Sequence, residues 1–197
     1  PVILDAKRAD IAESSAAYAR EAFGSWQSDA LTVSPFMGDD SVGPFLRAAA
    51  EDGTPRWVYV LNRTSNAGAR RFQDETAADS GRPLYETVGE AIQAWQRDYG
   101  TAGAVIGATA PEELERLLRL HSAFPVPVLV PGVGAQGGSA SAVMVAISRA
   151  GYPASLVRIA ASRQILAPWG DRGAPADWRT AVRTSYAHLA EECAWRG

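Results

Sequence analysis

A short charged cluster near the start of the chain has the residue types and spacing of a proton-transfer site. Asp5, Lys7 and Asp10 follow one another closely. Asp5 and Lys7 fall at the end of an apolar run; if that run is a strand, they point to the same side. Two neighbouring carboxylates favour a charged lysine, and a fixed ammonium suits proton donation to a developing carbanion. A surface string of ion pairs would account for the same residues, so both interpretations stay open.

A glycine-rich segment further along the chain is suited to binding an anion. Residues 131–138 read Pro-Gly-Val-Gly-Ala-Gln-Gly-Gly, and Ser139 then opens a predicted helix. Glycines let backbone N–H groups approach a ligand closely, and a helix N-terminus favours negative charge. Arg163, after the next apolar run, could clamp a phosphate through two hydrogen bonds. A simple connector is the alternative, but the combination is typical of the phosphate site behind the last strands of a β/α barrel.

The remaining polar candidates are less specific. Ser65, at the end of a third apolar run, could hydrogen-bond a polar ring edge, although an ordinary turn explains it equally well. His121 and His188 lack metal-ligand spacing, and the single Cys193 cannot build a zinc site. We therefore predict no metal site and place both histidines on helix surfaces.

Six apolar runs alternate with longer helical patterns, which predicts an α/β fold with a parallel sheet, either open or closed into a barrel. The predicted strands lie near residues 2–6, 30–34, 57–61, 104–108, 126–131 and 156–161. The predicted helices lie near residues 12–23, 42–51, 84–99, 111–121, 139–150 and 175–194. The polar interval 62–83 is predicted to form a long loop on the functional face, and residues 1–197 are predicted to form one domain.

Composition narrows the class of protein. The 197 residues are 47% hydrophobic and 21% charged, with a net charge of −3, which is typical of a globular protein. The arginines are scattered, so no nucleic-acid partner is expected. No apolar run approaches the ~20 residues of a membrane helix. One cysteine suits a reducing compartment, so a cytoplasmic protein that handles small molecules is expected.

Five segments together resemble the orotidine 5′-phosphate decarboxylase family, in the family's order across nearly the whole chain. They are residues 5–11, 33–38, 64–66, 106–111 and 131–138. The D-x-K-x-x-D and P-G-V-G-A-Q-G-G motifs are specific in combination, and the middle segments are similar to the bacterial branch with longer chains. The resemblance implies an eight-stranded β/α barrel, and a homodimer that converts orotidine 5′-monophosphate to UMP without metal or organic cofactor.

The resemblance also implies a role for each candidate residue. Lys7 would protonate C6 of the pyrimidine as carbon dioxide leaves, Asp5 would face the substrate carboxylate, and Asp10 would enter the partner's site. Substrate contacts are implied for Ile11 and Ser14, again in the neighbouring site, and for Ser65, Pro131, Gln136 and Arg163. Ser65 would contact the pyrimidine, and Gln136 and Arg163 the phosphate. The implied phosphate loop contains Gly134, Gly137 and Gly138.

The six units would correspond to strands 3–8 of the family's barrel. The two preceding units, which carry a ribose-binding aspartate and a second lysine, have no counterpart here, so we expect a barrel domain incomplete at its N-terminus and slow turnover by this chain alone. Two alternatives stay open. One is a phosphosugar decarboxylase or synthase of the same barrel superfamily, which would need Mg²⁺ and further acidic ligands. The other is a non-catalytic nucleotide-binding fragment.

Overall fold

The six predicted strands form one parallel sheet, paired in chain order, in a computed structural model that describes residues 1–51, 53–78 and 80–194. The strands are β1 (Ile3–Arg8), β2 (Ala30–Val33), β3 (Trp57–Arg63), β4 (Ala102–Ile106), β5 (Val128–Pro131) and β6 (Val157–Ala160). Each strand begins and ends within two residues of its predicted bounds. The α/β prediction is therefore confirmed.

Helices follow the strands in alternation. They are α1 (Ala12–Arg20), α2 (Asp39–Ala50), α3 (Arg70–Gln73), α4 (Leu84–Tyr99), α5 (Pro111–Leu120), α6 (Ala140–Ala150), α7 (Arg163–Leu166) and α8 (Trp178–Glu192). The predicted start of the last helix at residue 175 is three residues early. The interval predicted as a long loop contains the end of β3, a 3₁₀ turn and α3, so it is more ordered than the polar sequence indicates.

Pairing in strict chain order gives a singly wound sheet, whereas a doubly wound sheet reverses its order at a switch point. Because right-handed crossovers then all turn the same way, the helices pack on one face. The main core fills the space between that face and the helices, with Phe45, Val60 and Leu117 fully buried. A second, smaller cluster lies on the opposite face, which is the concave, inner face of the curled sheet; its buried members are Ala30, Tyr59, Val105 and Leu129.

Alternation along each strand decides which side chains reach the concave face. Ile3 in β1 packs against the concave cluster, and Leu4 packs against the main core. By the same two-residue period, Asp5 and Lys7 point to the concave side. The carboxyl ends of all six strands meet at one rim, because the strands are parallel. The rim is therefore where the candidate residues converge.

One histidine prediction is wrong. His188 is exposed, as predicted, but His121 is completely buried where α5 ends. Neither ring nitrogen of His121 has a hydrogen-bond partner among the described residues. Burial lowers the pKa of His121 from its ordinary value of 6.5 to about 4, because the charged ring cannot be solvated there. His121 is buried because of how α5 packs against its neighbours, and the sequence of the helix alone does not reveal that packing.

The buried histidine predicts acid sensitivity. Between pH 6.5 and about 4 the unfolded chain binds a proton at His121 that the folded chain does not, so stability falls as pH falls through this window. One pKa unit corresponds to about 1.4 kcal/mol, so His121 should lower the free energy of unfolding by up to about 3 kcal/mol on acidification. His121→Phe should abolish this decrease. Urea unfolding at pH 7 and pH 4 measures the difference, with the exposed-site variant His188→Phe as control. An equal pH response in wild type and His121→Phe would contradict this prediction.

Candidate functional site

The candidate residues surround a cavity of about 720 Å³ on the concave face, at the carboxyl rim of the sheet. Its walls come from five strands, β1 and β3–β6, and from the segments that follow two of them. The lining residues are Ile3, Asp5, Lys7, Leu61, Thr64, Ser65, Asn66, Gln73, Val105, Leu129, Pro131, Gln136 and Ala160. The lower walls are apolar and the rim is polar, which is typical of a small-molecule site.

Asp5 and Lys7 form the charged part of the cavity. Lys7 Nζ donates a hydrogen bond of 2.6 Å to Asp5 Oδ1, as the spacing predicts. Burial acts to raise the pKa of Asp5, but the hydrogen bonds from Lys7 and Thr32 and the lysine charge outweigh it and lower the pKa. At neutral pH the pair is therefore a carboxylate and an ammonium fixed against each other.

The backbone at Lys7 is unusual. Its φ is +48°, in the left-handed region that side chains with a Cβ rarely adopt. The pairing of β1 with β2 changes register between Leu4 and Arg8, so β1 bulges at this point. The Lys7 N–H donates to Thr32 Oγ1 at 2.9 Å, and Thr32 Oγ1 donates to Asp5 Oδ1 at 2.9 Å. Sequence reasoning missed Thr32, although a hydroxyl within the apolar run of β2 was an available signal.

Three predicted residues lie outside the cavity within the single chain. Asp10 Oδ1 accepts the Ile11 N–H at 2.8 Å, and Asp10 forms no ion pair with Lys7 in the part of the chain that the structure describes. The Ile11 side chain is 59% exposed at the start of α1, and Ser14 is half-buried within α1. The structure therefore brings Asp5 and Lys7 together but does not place these three among the residues that line the cavity.

Ser65 and Gln136 meet across the cavity. Ser65 Oγ donates to Gln136 Oε1 at 2.7 Å, which joins the segment after β3 to the segment after β5. The Thr109 hydroxyl donates to the Ser65 carbonyl at 2.8 Å. A Cβ added to Gly107 would lie 2.7 Å from Ser65 Cα, so glycine is required for this close approach. The resemblance assigned Ser65 and Gln136 to separate roles and did not indicate their direct contact.

A buried arginine supports the segment that carries Ser65. The Arg63 side chain is only 3% exposed, and its Nη1 donates to the Thr64 carbonyl at 2.9 Å. Asp74 Oδ1 lies 3.1 Å from Arg63 Nε, although the N–H does not point at it, and Glu113 Oε1 lies 3.8 Å from Nη2. Gln73 accepts the Thr64 N–H at 2.9 Å. Sequence analysis left this stretch open between a binding segment and an ordinary turn, and assigned no role to Arg63.

A second cavity of about 440 Å³ adjoins the first. Asp5, Pro131 and Gln136 line both cavities, and Arg163 lines the second together with Ser162. The structure therefore brings Arg163 near the glycine-rich segment, as the barrel pattern predicts. Ser139 opens α6 as predicted, and its Oγ caps the helix by accepting the Ala142 N–H at 3.4 Å.

The three phosphate-loop glycines shape the loop and do not offer free donors. Their N–H groups all donate inside the loop: Gly134 to Gly138 O, Gly137 to Gly134 O and Gly138 to Gly132 O, at 2.8–3.0 Å. In this structure these three N–H groups are therefore engaged within the loop. A Cβ at Gly138 would lie 2.5 Å from the Gly132 carbonyl, so the glycine allows the tight turn. Donors for an anion must come from other groups, such as the guanidinium of Arg163.

Residues 1–51, 53–78 and 80–194 contain neither a metal-ligand cluster nor a membrane-spanning helix. No group of three or more histidine, cysteine, aspartate or glutamate residues is placed there to hold a metal ion. None of the helices in the same ranges is long and apolar enough to cross a membrane.

A singly wound parallel sheet, with a charged pair and a glycine-rich loop at its carboxyl rim, defines the β/α-barrel class. Within that class, the chain belongs to the orotidine 5′-phosphate decarboxylase / HUMPS family, whose model matches residues 1–167.

Individual relatives agree with this assignment. An orotidine 5′-phosphate decarboxylase of Methylibium petroleiphilum is 48% identical over 151 residues, 76% of this chain and 52% of the relative. The solved Leishmania donovani OMP decarboxylase is 35% identical, with a TM-score of 0.73 over 98% of this chain and 68% of that one. The solved UMP synthase of the same organism is 38% identical, with a TM-score of 0.76 over 98% of this chain and 39% of that one. The chain thus spans about half the length of the first curated relatives it matches.

Proposed function

We propose that this chain carries the decarboxylation of orotidine 5′-monophosphate to UMP. The observation that carries the proposal is the Asp5–Lys7 pair, fixed at 2.6 Å and pointing into a cavity of nucleotide size. The substrate loses carbon dioxide from C6 and leaves a carbanion with no attached group to delocalise it. A positive charge held beside C6 is therefore the main requirement on the protein.

Lys7 supplies that charge in the proposed reaction. As the bond from C6 to the carboxyl carbon breaks, its electron pair stays on C6, and the Lys7 ammonium then transfers a proton to C6. An ammonium ~4 Å from the developing charge contributes about 4 kcal/mol at an effective dielectric constant of ~20. Asp5 faces the substrate carboxylate, and the repulsion between them disappears as carbon dioxide leaves. All these steps use side chains, so no metal or organic cofactor enters the proposal.

We assign the phosphate end of the substrate to the second cavity. Ser65 contacts the pyrimidine, Pro131 forms part of the wall, and Gln136 reaches from the base toward the phosphate. Arg163 binds the phosphate where the second cavity opens. Because the phosphate is remote from C6, its binding energy holds the ring in place and does not act on the bond that breaks.

We also propose that the active form is a homodimer with shared sites. Asp10, Ile11 and Ser14 do not line their own cavity and are proposed to enter the partner's site. Two-fold symmetry would then give each dimer two composite sites. We further propose that residues 1–197 form one barrel domain, with β1–β6 in the positions of strands 3–8.

Release of carbon dioxide from orotidine 5′-monophosphate tests the function directly. We expect activity that a chelator does not change, because no step uses a metal. Activity lost on chelation would favour the phosphosugar enzymes of the superfamily, which require Mg²⁺. UMP binding measured by calorimetry without any decarboxylation would instead indicate a non-catalytic nucleotide-binding protein.

Replacement of the phosphate-binding arginine should weaken nucleotide affinity. A hydrogen bond to a charged group contributes about 1.5–3 kcal/mol, so Arg163→Ala should raise the Kd for UMP by roughly 10- to 100-fold. Arg172→Ala is the matched control, because Arg172 is exposed nearby but lines neither of the two cavities. Calorimetry with UMP measures both variants. An unchanged Kd for Arg163→Ala would reject Arg163 as the phosphate ligand.

A further inference from the structure

Thr32 is the one polar side chain of β2, and it lies against both members of the charged pair. The strand reads Ala-Leu-Thr-Val and is buried throughout, with Thr32 only 1% exposed. Its hydroxyl accepts the Lys7 N–H and donates to Asp5 Oδ1, both at 2.9 Å. A hydroxyl both accepts and donates, so one atom can connect the backbone of Lys7 to the carboxylate of Asp5. The apolar isostere valine can do neither.

We propose that Thr32 is a positioning residue, whose hydroxyl holds the Lys7 bulge and the Asp5 carboxylate in the geometry that aims Lys7 Nζ into the cavity. The consequence for catalysis rests on the proposed function, but the positioning itself does not.

The backbone of Lys7 explains why such a support is needed. A lysine at φ +48° is strained, and conformations of this kind persist only where the surroundings over-determine them. The register change between Leu4 and Arg8 interrupts the pairing of β1 with β2 at this residue. The Thr32 hydroxyl provides the hydrogen bond for the Lys7 N–H within the interruption. Arg8 resumes the pairing, since its carbonyl accepts the Ser34 N–H at 2.8 Å.

The carboxylate is held in the same way. Asp5 Oδ1 accepts two hydrogen bonds, from Lys7 Nζ at 2.6 Å and from the Thr32 hydroxyl at 2.9 Å. Two donors on one oxygen fix the carboxylate more firmly than the lysine alone, because Lys7 Nζ is carried by a long and half-exposed side chain. Donation by Thr32 also helps to lower the pKa of Asp5 against the opposing effect of burial. Among the described residues that line the two cavities, the remaining charged group is Arg163, which lines the second cavity with Asp5.

Three variants separate the hydroxyl from the rest of the side chain. Thr32→Val removes the hydroxyl and keeps the volume, Thr32→Ser keeps the hydroxyl and removes the methyl group, and Thr32→Ala is a second hydroxyl deletion if the valine variant does not fold. NMR on the 197-residue chain reads the Asp5 carboxyl titration and the hydrogen exchange of the Lys7 amide. The amides of Val58 and Val60 in β3 serve as internal controls. β3 pairs with the opposite edge of β2 from the bulged β1, and the Val58 N–H donates away from β2, to the Thr101 carbonyl.

We expect the valine variant to raise the pKa of Asp5 and to speed Lys7 amide exchange by about tenfold, with exchange at Val58 and Val60 unchanged. The serine variant should behave as wild type in both measurements. Unchanged Lys7 exchange and an unchanged Asp5 titration in the hydroxyl-deletion variants would overturn the proposal. Faster exchange at Val58 and Val60 as well would also overturn it, since the hydroxyl would then stabilise the whole sheet.

Steady-state kinetics separate a positioning role from a purely structural one, because only a positioning residue should change kcat while KM stays nearly constant. With orotidine 5′-monophosphate, Thr32→Val should lower kcat about tenfold or more and change KM less than about twofold, because the phosphate and base contacts are untouched. Thr32→Ser should restore kcat. A valine variant with wild-type kcat would overturn the positioning role. If wild type itself does not turn over this substrate, the proposed function fails, and the NMR measurements still decide the role of Thr32.

Discussion

Two inactive variants, Lys7→Ala and Asp10→Ala, are expected to regain decarboxylase activity when they are unfolded and refolded together, in a protein that also carries the two β/α units expected before β1. Lys7 lies on β1 and lines its own cavity, whereas Asp10 does not line it. In a mixed dimer both lesions then fall in one composite site, and the other site is intact. With random exchange about half of the dimers are mixed, so about a quarter of all sites should recover. Each variant alone should be nearly inactive.

A matched mixture gives the control. Asp5 and Lys7 line the same cavity, so mixing Asp5→Ala with Lys7→Ala leaves one lesion in every site and should restore nothing. Native mass spectrometry confirms that mixed dimers form in both experiments. No recovery with the Asp10 variant, despite mixed dimers, would reject the shared site and leave Asp10 as a local cap on the Ile11 N–H.

Replacement of Arg63 by methionine should lower the free energy of unfolding by about 4 kcal/mol. Methionine keeps much of the side-chain volume but leaves Asp74 and Glu113 without their buried partner, and removal of one member of a buried ion pair typically costs about 3–5 kcal/mol. The Thr64 carbonyl also loses its hydrogen bond from Nη1. Urea denaturation measures the change, and faster hydrogen exchange in residues 64–74 should accompany it.

Arg116→Met is the matched control. Arg116 is 62% exposed and pairs with Glu86 at 3.0 Å, so its loss should cost less than about 1 kcal/mol. Equal decreases in the free energy of unfolding would mean that the buried Arg63 stabilises the protein no more than the exposed Arg116 does. A large loss for Arg63→Met without faster exchange in residues 64–74 would show that the arginine stabilises the sheet and not this segment.

The sequence predicts the fold well because the fold depends on patterns that are local and strong. Six apolar runs locate the strands to within two residues, since each strand is covered by helices on its outer face. The position of the site follows from the same argument, because parallel strands carry their carboxyl ends to one rim. Asp5, Lys7, Ser65, Gln136 and Arg163 all lie at the predicted edge.

The parts that the sequence could not predict depend on contacts between distant segments. The bulge at Lys7 exists only where β1 meets β2, so neither the strained φ nor the role of Thr32 is visible in the apolar runs. His121 has the polarity of a surface residue, and only the packing around the end of α5 buries it. The glycine-rich segment predicts a tight loop correctly, but the spacing of glycines does not reveal that the loop uses its own N–H groups.

The pairing of strands in chain order has a consequence for how the molecule is made. Every strand after the first pairs with the strand synthesised immediately before it, so no unit must wait for a distant C-terminal segment before it can dock. Contacts between neighbouring units keep loop-closure distances short, which favours folding that proceeds from the N-terminus during translation. The Asp5–Lys7–Thr32 cluster is complete once β2 has docked, whereas Arg163 emerges after β6. In a nascent chain the proposed proton donor is therefore in place before the proposed phosphate ligand emerges.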